Sequence, residues 1–222
     1  MIRVVLILVA GMLAASANAQ WTSAIGKRGG HWEGTFGLKY QDSEFLGSQE
    51  GSSLKFESDY GFMFGLAYNF TDHFSAGFDV DYLRAYYQAD LISATPGEPD
   101  VQFGHKGDFT SFMFNGTYNF ISGSFTPYVS ASAGWQYFDS NIIDGDPVIG
   151  CYWHPYWGYI CNDYYQTYTE TSFGYGATAG LRWEIDSSMF IKASVSQDWF
   201  DMSGAHSDPS FMSGAIEFGT RF

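Results

Sequence analysis

The sequence predicts an all-β fold: an eight-stranded antiparallel transmembrane β-barrel with short periplasmic turns and long extracellular loops. Three observations carry this. Aromatic residues make up 20% of the 222 residues, with 26 Gly and only 6 Pro, a usage suited to pleated surfaces rather than helices. Apolar and polar residues alternate with a period of two in eight runs, each near the ~9–11 residues that a tilted strand needs to cross a bilayer. The links between runs are in turn long and short, as a chain inserted from one side of a membrane requires.

In the first run Trp32, Phe36, Leu38 and Tyr40 alternate with Glu33, Thr35, Gly37 and Lys39. The second sets Tyr60, Phe62, Phe64, Leu66, Tyr68 and Phe70 against Glu57, Asp59, Gly61, Gly65, Ala67 and Asn69, and the third sets Phe74, Phe78, Val80 and Tyr82 against Ser75, Gly77, Asp79 and Asp81. Phe112, Phe114, Tyr118 and Phe120 face away from Ser111, Asn115, Thr117 and Asn119; Val129, Ala131, Ala133, Trp135 and Tyr137 face away from Ser130, Ser132, Gly134 and Gln136. The sixth run alternates from Phe173 to Glu184 and the seventh from Ile191 to Trp199. The last ends on Ile216, Glu217, Phe218, Gly219, Arg221 and Phe222.

Long polar links run from Gln41 to about Ser53, from about Arg84 to Gly107, from about Asp139 to Tyr168 and from about Met202 to Pro209. Between them fall the tight turns at Thr71–His73, Ile121–Ser124 and Asp186–Ser188. Tyr68, Phe70, Phe74, Tyr118, Phe120, Phe125, Tyr128 and Trp183 flank those turns, as an aromatic girdle at a lipid interface would. A soluble barrel or sandwich also alternates, but it would not put large aromatics on its outer face and charge on its inner one. An open sheet cannot cross lipid with unpaired edges, so the sheet must close.

The first residues, MIRVVLILVAGMLAASANA, carry one positive charge, a short apolar core and an Ala-x-Ala end. They read as a signal peptide over residues 1–19, leaving residues 20–222 as one barrel domain. The final strand, SGAIEFGTRF, ends on Phe222 with Phe218 and Ile216 at alternate positions before it, and it resembles the terminal recognition strand of bacterial outer-membrane proteins. With the eight runs, the chain resembles the small OmpA/OmpX-like barrels of the porin family. That resemblance implies residence in the bacterial outer membrane and insertion by the outer-membrane assembly machinery, with Ile216, Phe218 and Phe222 in the assembly signal. It further implies contact with outer-membrane lipid and lipopolysaccharide. Larger relatives carry a peptidoglycan-binding domain after the barrel, and no such domain is expected here.

A formal charge of -14 argues against a nucleic-acid partner. No cofactor, metal site or catalytic group is expected, and the barrel is expected to be a monomer. Inward-facing charges form a candidate lumen network: Glu33, Lys39, Glu57, Asp59, Asp79, Asp81, Arg182, Glu184, Lys192, Asp198, Glu217 and Arg221. Mixed charges in so narrow a barrel pair and fill it; the alternative is a narrow cation path, since acids outnumber bases. A third reading, an envelope enzyme, would have to rest on His206, Ser207 and Asp208, whose adjacency in one loop is poor geometry for a nucleophile and its base. GYGATAG lacks the spacing and the helix of a dinucleotide loop.

The third long link holds both cysteines of the chain in CYWHPYWGYIC. Their spacing is too wide for a CxxC redox pair, and His154 alone cannot complete a zinc site. In an oxidising compartment Cys151 and Cys161 are expected to bond to each other. The ring so formed would display Tyr152, Trp153, His154, Tyr156, Trp157 and Tyr159, either as a contact surface for an extracellular ligand or as structural rings folded over the barrel mouth or resting on the lipid headgroups. The expected role is structural or surface-interactive, with the loops carrying it.

Overall fold

In the computed structural model the described residues are 27–47, 52–92, 101–144, 148–156, 158–201 and 209–222. The expected signal peptide, Trp157 and the His206–Asp208 segment lie outside them. Twelve strands form among the described residues: β1 (Trp32–Gln41), β2 (Glu44–Gly47), β3 (Ser53–Phe56), β4 (Asp59–Asn69), β5 (Phe74–Leu91), β6 (Val101–Asn119), β7 (Phe125–Ile143), β8 (Val148–His154), β9 (Gly158–Tyr164), β10 (Thr167–Glu184), β11 (Met189–Asp201) and β12 (Ser210–Arg221). Eight of them close an antiparallel barrel in the order β1, β4, β5, β6, β7, β10, β11, β12 and back to β1.

Closure joins the first strand to the last. Glu33 to Gln41 lie in register with Arg221 to Ser213, and Trp32 and Phe222 exchange backbone hydrogen bonds at 3.0 and 2.9 Å. Ile216, Phe218 and Phe222 point outward beside this seam. Among the described residues no helix is long and apolar enough to cross a membrane. Strands carry the crossing instead.

The extracellular part departs from the sequence reading. Strands β5 and β6 continue as a paired ribbon to Leu91 and Val101, so most of what reads as a loop from Arg84 to Gly107 is sheet. Strands β2 and β3 make a short hairpin that adds to the edge of β5. Strands β8 and β9 form a separate two-stranded sheet in the third loop. Alternation persists into these extensions, but its two faces exchange character. On β5 the inward residues are Asp79 and Asp81 at mid-barrel, then the buried Leu83, Ala85, Tyr87 and Ala89 above; the outward ones become mostly polar, Arg84, Tyr86, Gln88 and Asp90. Above the lipid the outside is wet and the inside must be dry, so the inner face turns apolar.

Candidate functional site

The barrel interior has three layers. At the periplasmic end the chain leading into β1 crosses the mouth: Gly30 takes a left-handed turn (φ 87) that only glycine adopts without strain, and Arg28 sits inside, 2% exposed. Its guanidinium reaches two of the tight turns and the end of β10. Nε donates to Glu184 Oε1 at 2.8 Å, Nη1 to the carbonyls of Asp72 and Ile121, and Nη2 to Gly123 O at 3.0 Å and Thr126 Oγ1 at 2.7 Å. Asp72 Oδ1 accepts the backbone N–H groups of Arg28 and Gly29 at 2.7 and 2.9 Å. Just above, Arg182 forks onto Glu33 at 2.7 and 2.6 Å and also bonds Glu184. Its guanidinium carbon lies 3.7 Å from the Phe190 ring centroid, and Arg221 meets the other oxygen of Glu184 at 3.1 Å. Three arginines and two glutamates thus make one buried network.

In the middle layer acids outnumber bases. Lys39 Nζ bridges Asp81 at 2.8 Å and Asp198 at 3.6 Å, Lys192 lies 3.9 Å from Glu217, and Asp79 accepts a hydrogen bond from Asn115. Asp79 has no ion-pair partner among the described residues. These groups surround a cavity of about 80 Å³ whose remaining wall is largely Ser and Thr. The excess of arginine below and of carboxylate here offset each other along the barrel axis.

An aromatic roof lies above. Phe56 of β3 is 1% exposed and packs against Phe109, Phe138, Phe211 and Tyr87 with ring centroids 5.2, 5.7, 6.0 and 6.0 Å away. Leu46, Leu83, Ala85 and Phe200 complete this buried cluster, and the Tyr87 hydroxyl donates to Ser140 O at 2.9 Å.

Ten of the twelve candidate lumen charges lie in the two lower layers. Glu57 does not: it is exposed in the link between β3 and β4, because β4 begins only at Asp59. Asp59 sits at the extracellular rim, where its carboxylate accepts the Tyr60 N–H at 2.7 Å. Tyr128 is also relocated. It belongs to the inward set of β7, buried with Lys192 near its ring, and not to the outer girdle. Sequence reasoning missed Arg28, which precedes the first alternating run, and the whole roof. Leu83, Phe109, Phe200 and Phe211 could have been found as apolar residues on the polar phase of their strands.

In the third loop Cys151 and Cys161 stand directly opposite each other on β8 and β9, as do Trp153 and Tyr159. Cys151 is disulfide-bonded. Trp153, Tyr156 and Tyr159 are 69, 87 and 73% exposed, so these three rings do not cap the barrel mouth. Trp157 and the side chains of Tyr152 and His154 lie outside the described part of the structure. Among the described residues no cluster of His, Cys, Asp or Glu is suited to a metal.

A closed barrel with an aromatic outer belt and a charged interior defines an integral outer-membrane protein, and the comparisons agree. Residues 5–222 match the model of the outer membrane protein beta-barrel domain, and the chain belongs to that family. Among solved structures it resembles the outer membrane protein OprG from Pseudomonas aeruginosa, with a TM-score of 0.58 and 13% identity over 89% of this chain and 98% of that one. The outer membrane protein AlkL gives a TM-score of 0.50 and 16% identity over 90% and 94% of the two chains. Neisserial surface protein A gives 0.47 and 15% over 86% and 95%. No curated protein matches. The chain is therefore a bacterial outer-membrane protein of the small eight-stranded type.

The Asp72 clamp outside the membrane makes a pH prediction. The Gly29 N–H, then the Arg28 N–H and nearby positive charge, hold its carboxyl below the usual carboxylate range against a small desolvation cost. A depressed folded value stabilises above the unfolded pKa of about 3.9 and loses that stabilisation as pH falls through the folded one. The stability difference between wild type and Asp72→Asn, measured by urea titration, should be positive at pH 7 and shrink towards zero below about pH 4. A difference constant across that range would remove the clamp from the account.

Proposed function

We propose that this protein acts at the cell surface through its extracellular loops, with the β8–β9 hairpin as the contact element and the barrel as its scaffold. The observation that carries the reading is the exposure of Trp153, Tyr156 and Tyr159 on a hairpin whose strands pair with each other and not with the barrel. Large rings held in water by a cross-linked hairpin give contact area at low entropic cost. The layered interior supports the same reading, since Arg28 closes the floor and Phe56 the roof, leaving no wide path for a solute. Charge narrows the partner. No Lys or Arg occurs between Lys106 and Arg182, so a polyanion finds no counter-charge on this loop, whereas neutral glycans or basic polypeptides meet no repulsion.

Two measurements test it. Cells displaying wild type should retain a neutral glycan or a basic peptide from a binding panel, and the Trp153→Ala/Tyr159→Ala variant should lose that binding about tenfold or more; equal binding by both across the panel would leave the hairpin without this role. In planar bilayers the purified protein should show no steady conductance. Reproducible cation-selective openings would instead favour a narrow channel.

A further inference from the structure

We propose that a depression on the lipid-facing wall over β10, β11 and β12 is a binding site for one acyl chain of lipopolysaccharide. Most of the outer belt is built of large rings: Phe36, Phe62, Phe64, Phe112, Phe114 and Trp135 all stand out from the wall. Here the register places two small residues, Gly214 and Ala193, diagonally on neighbouring strands among larger aliphatic ones. One row across the strands reads Tyr40, Gly214, Val195, Ala179, and the row beneath it Leu38, Ile216, Ala193, Leu181. Gly214 and Ala193 form the floor. Tyr40, Leu38 and Ile216 make one bank, and Val195 and Leu181 the other. The result is a trough of about 630 Å³, almost wholly apolar, within the size range of small-molecule sites.

The occupant follows from where the trough lies. It is continuous with the lipid-contacting belt, so acyl chains are its immediate surroundings. In hydrocarbon the gain on filling it is dispersion, since an unfilled trough leaves its lining without contact atoms. A flexible chain can follow a trough one residue wide between two banks. Depth selects the leaflet. Tyr40 lies eight residues along β1 from Trp32, whose ring packs on the girdle residue Tyr68, or about 20 Å along the bilayer normal for a tilted strand. The Tyr40–Tyr60 ring pair, with centroids 5.1 Å apart, therefore stands near the extracellular interface, where phenol hydroxyls meet headgroups. The trough opens beneath that pair, in the outer leaflet, whose lipid is lipopolysaccharide.

The test uses the whole folded barrel with two probes offered separately in mild detergent: deep-rough lipopolysaccharide and phosphatidylethanolamine. Native mass spectrometry counts retained lipids for wild type, Gly214→Leu, Ala193→Phe and Gly116→Leu. A Cβ at Gly214 comes no closer than 3.8 Å to a neighbour and one at Gly116, on the opposite wall, no closer than 3.9 Å, so both positions accept the larger side chain. Wild type and Gly116→Leu should keep one lipopolysaccharide per barrel, and the two trough variants about fivefold less. Equal retention by all four, no retention by wild type, or phosphatidylethanolamine held as well as lipopolysaccharide would overturn the proposal. So would a wild-type dimer that Gly214→Leu dissociates, since the occupant would then be a second copy. The choice between the two lipids is read on wild type alone, so it survives a variant that fails to fold.

Discussion

Replacing Arg182 with Met is expected to destabilise the barrel by about 3–5 kcal/mol, the cost of leaving buried carboxylates without their cation. Arg182 is the centre of the lower network: it forks onto Glu33 and bonds Glu184 within 2.8 Å. All three side chains are nearly inaccessible. Met restores much of the volume and the contact with Phe190, so what is lost is charge. The expectation is a large fall in urea-unfolding free energy in lipid vesicles, partly recovered when Glu33→Gln is added, because one orphaned charge is then gone. A loss below about 1 kcal/mol, the range of exposed pairs, would mean that water reaches this layer.

Phe56→Ala should cost a similar amount, about 3–5 kcal/mol, for a different reason. The ring fills the centre of the roof with four aromatic neighbours, and its removal leaves a cavity that residues on four other strands would have to close. Phe62→Ala on the lipid face is the control. Lipid chains can enter the space left there, so it should cost about 1 kcal/mol or less. Hydrogen exchange adds a local readout: β2 and β3 should lose protection in Phe56→Ala, since Phe56 is their deepest anchor, while β1 and β12 keep theirs. Equal costs for Phe56→Ala and Phe62→Ala would mean that the roof is not a packed core.

The lower half of the molecule is legible in the sequence because a single rule holds along it. Outward residues meet lipid and inward residues meet one another, so alternation gives both the strand and the direction of each charge, from Glu33 and Lys39 to Glu217 and Arg221. Arg28 escapes that rule because it precedes the first strand and enters the lumen from a turn. Alternation carries no mark of where a strand begins, so it extends β4 back to Glu57. The roof was hidden by its own regularity: Leu83, Phe109, Phe200 and Phe211 keep the period of their strands but sit on the phase that lower down is polar, and a periodic reading weighs period before phase. The third loop shows the opposite case. Its aromatic content was plain, but only the pairing of β8 with β9 and the exposure of Trp153, Tyr156 and Tyr159 tell outward display from a cap.

The exchange of faces along β5 has a mechanical consequence. Below the exchange the wall favours hydrocarbon outside, and above it the wall favours water outside, with Tyr82 and Arg84 on either side of the boundary. Sinking the barrel by one pleat would bring the Arg84 guanidinium into hydrocarbon, and raising it would lift rings such as Phe62 and Phe112 into water. Both displacements are costly. The protein therefore floats at a fixed waterline set by side-chain phase, and the rim of the barrel stands at a constant height above the lipid.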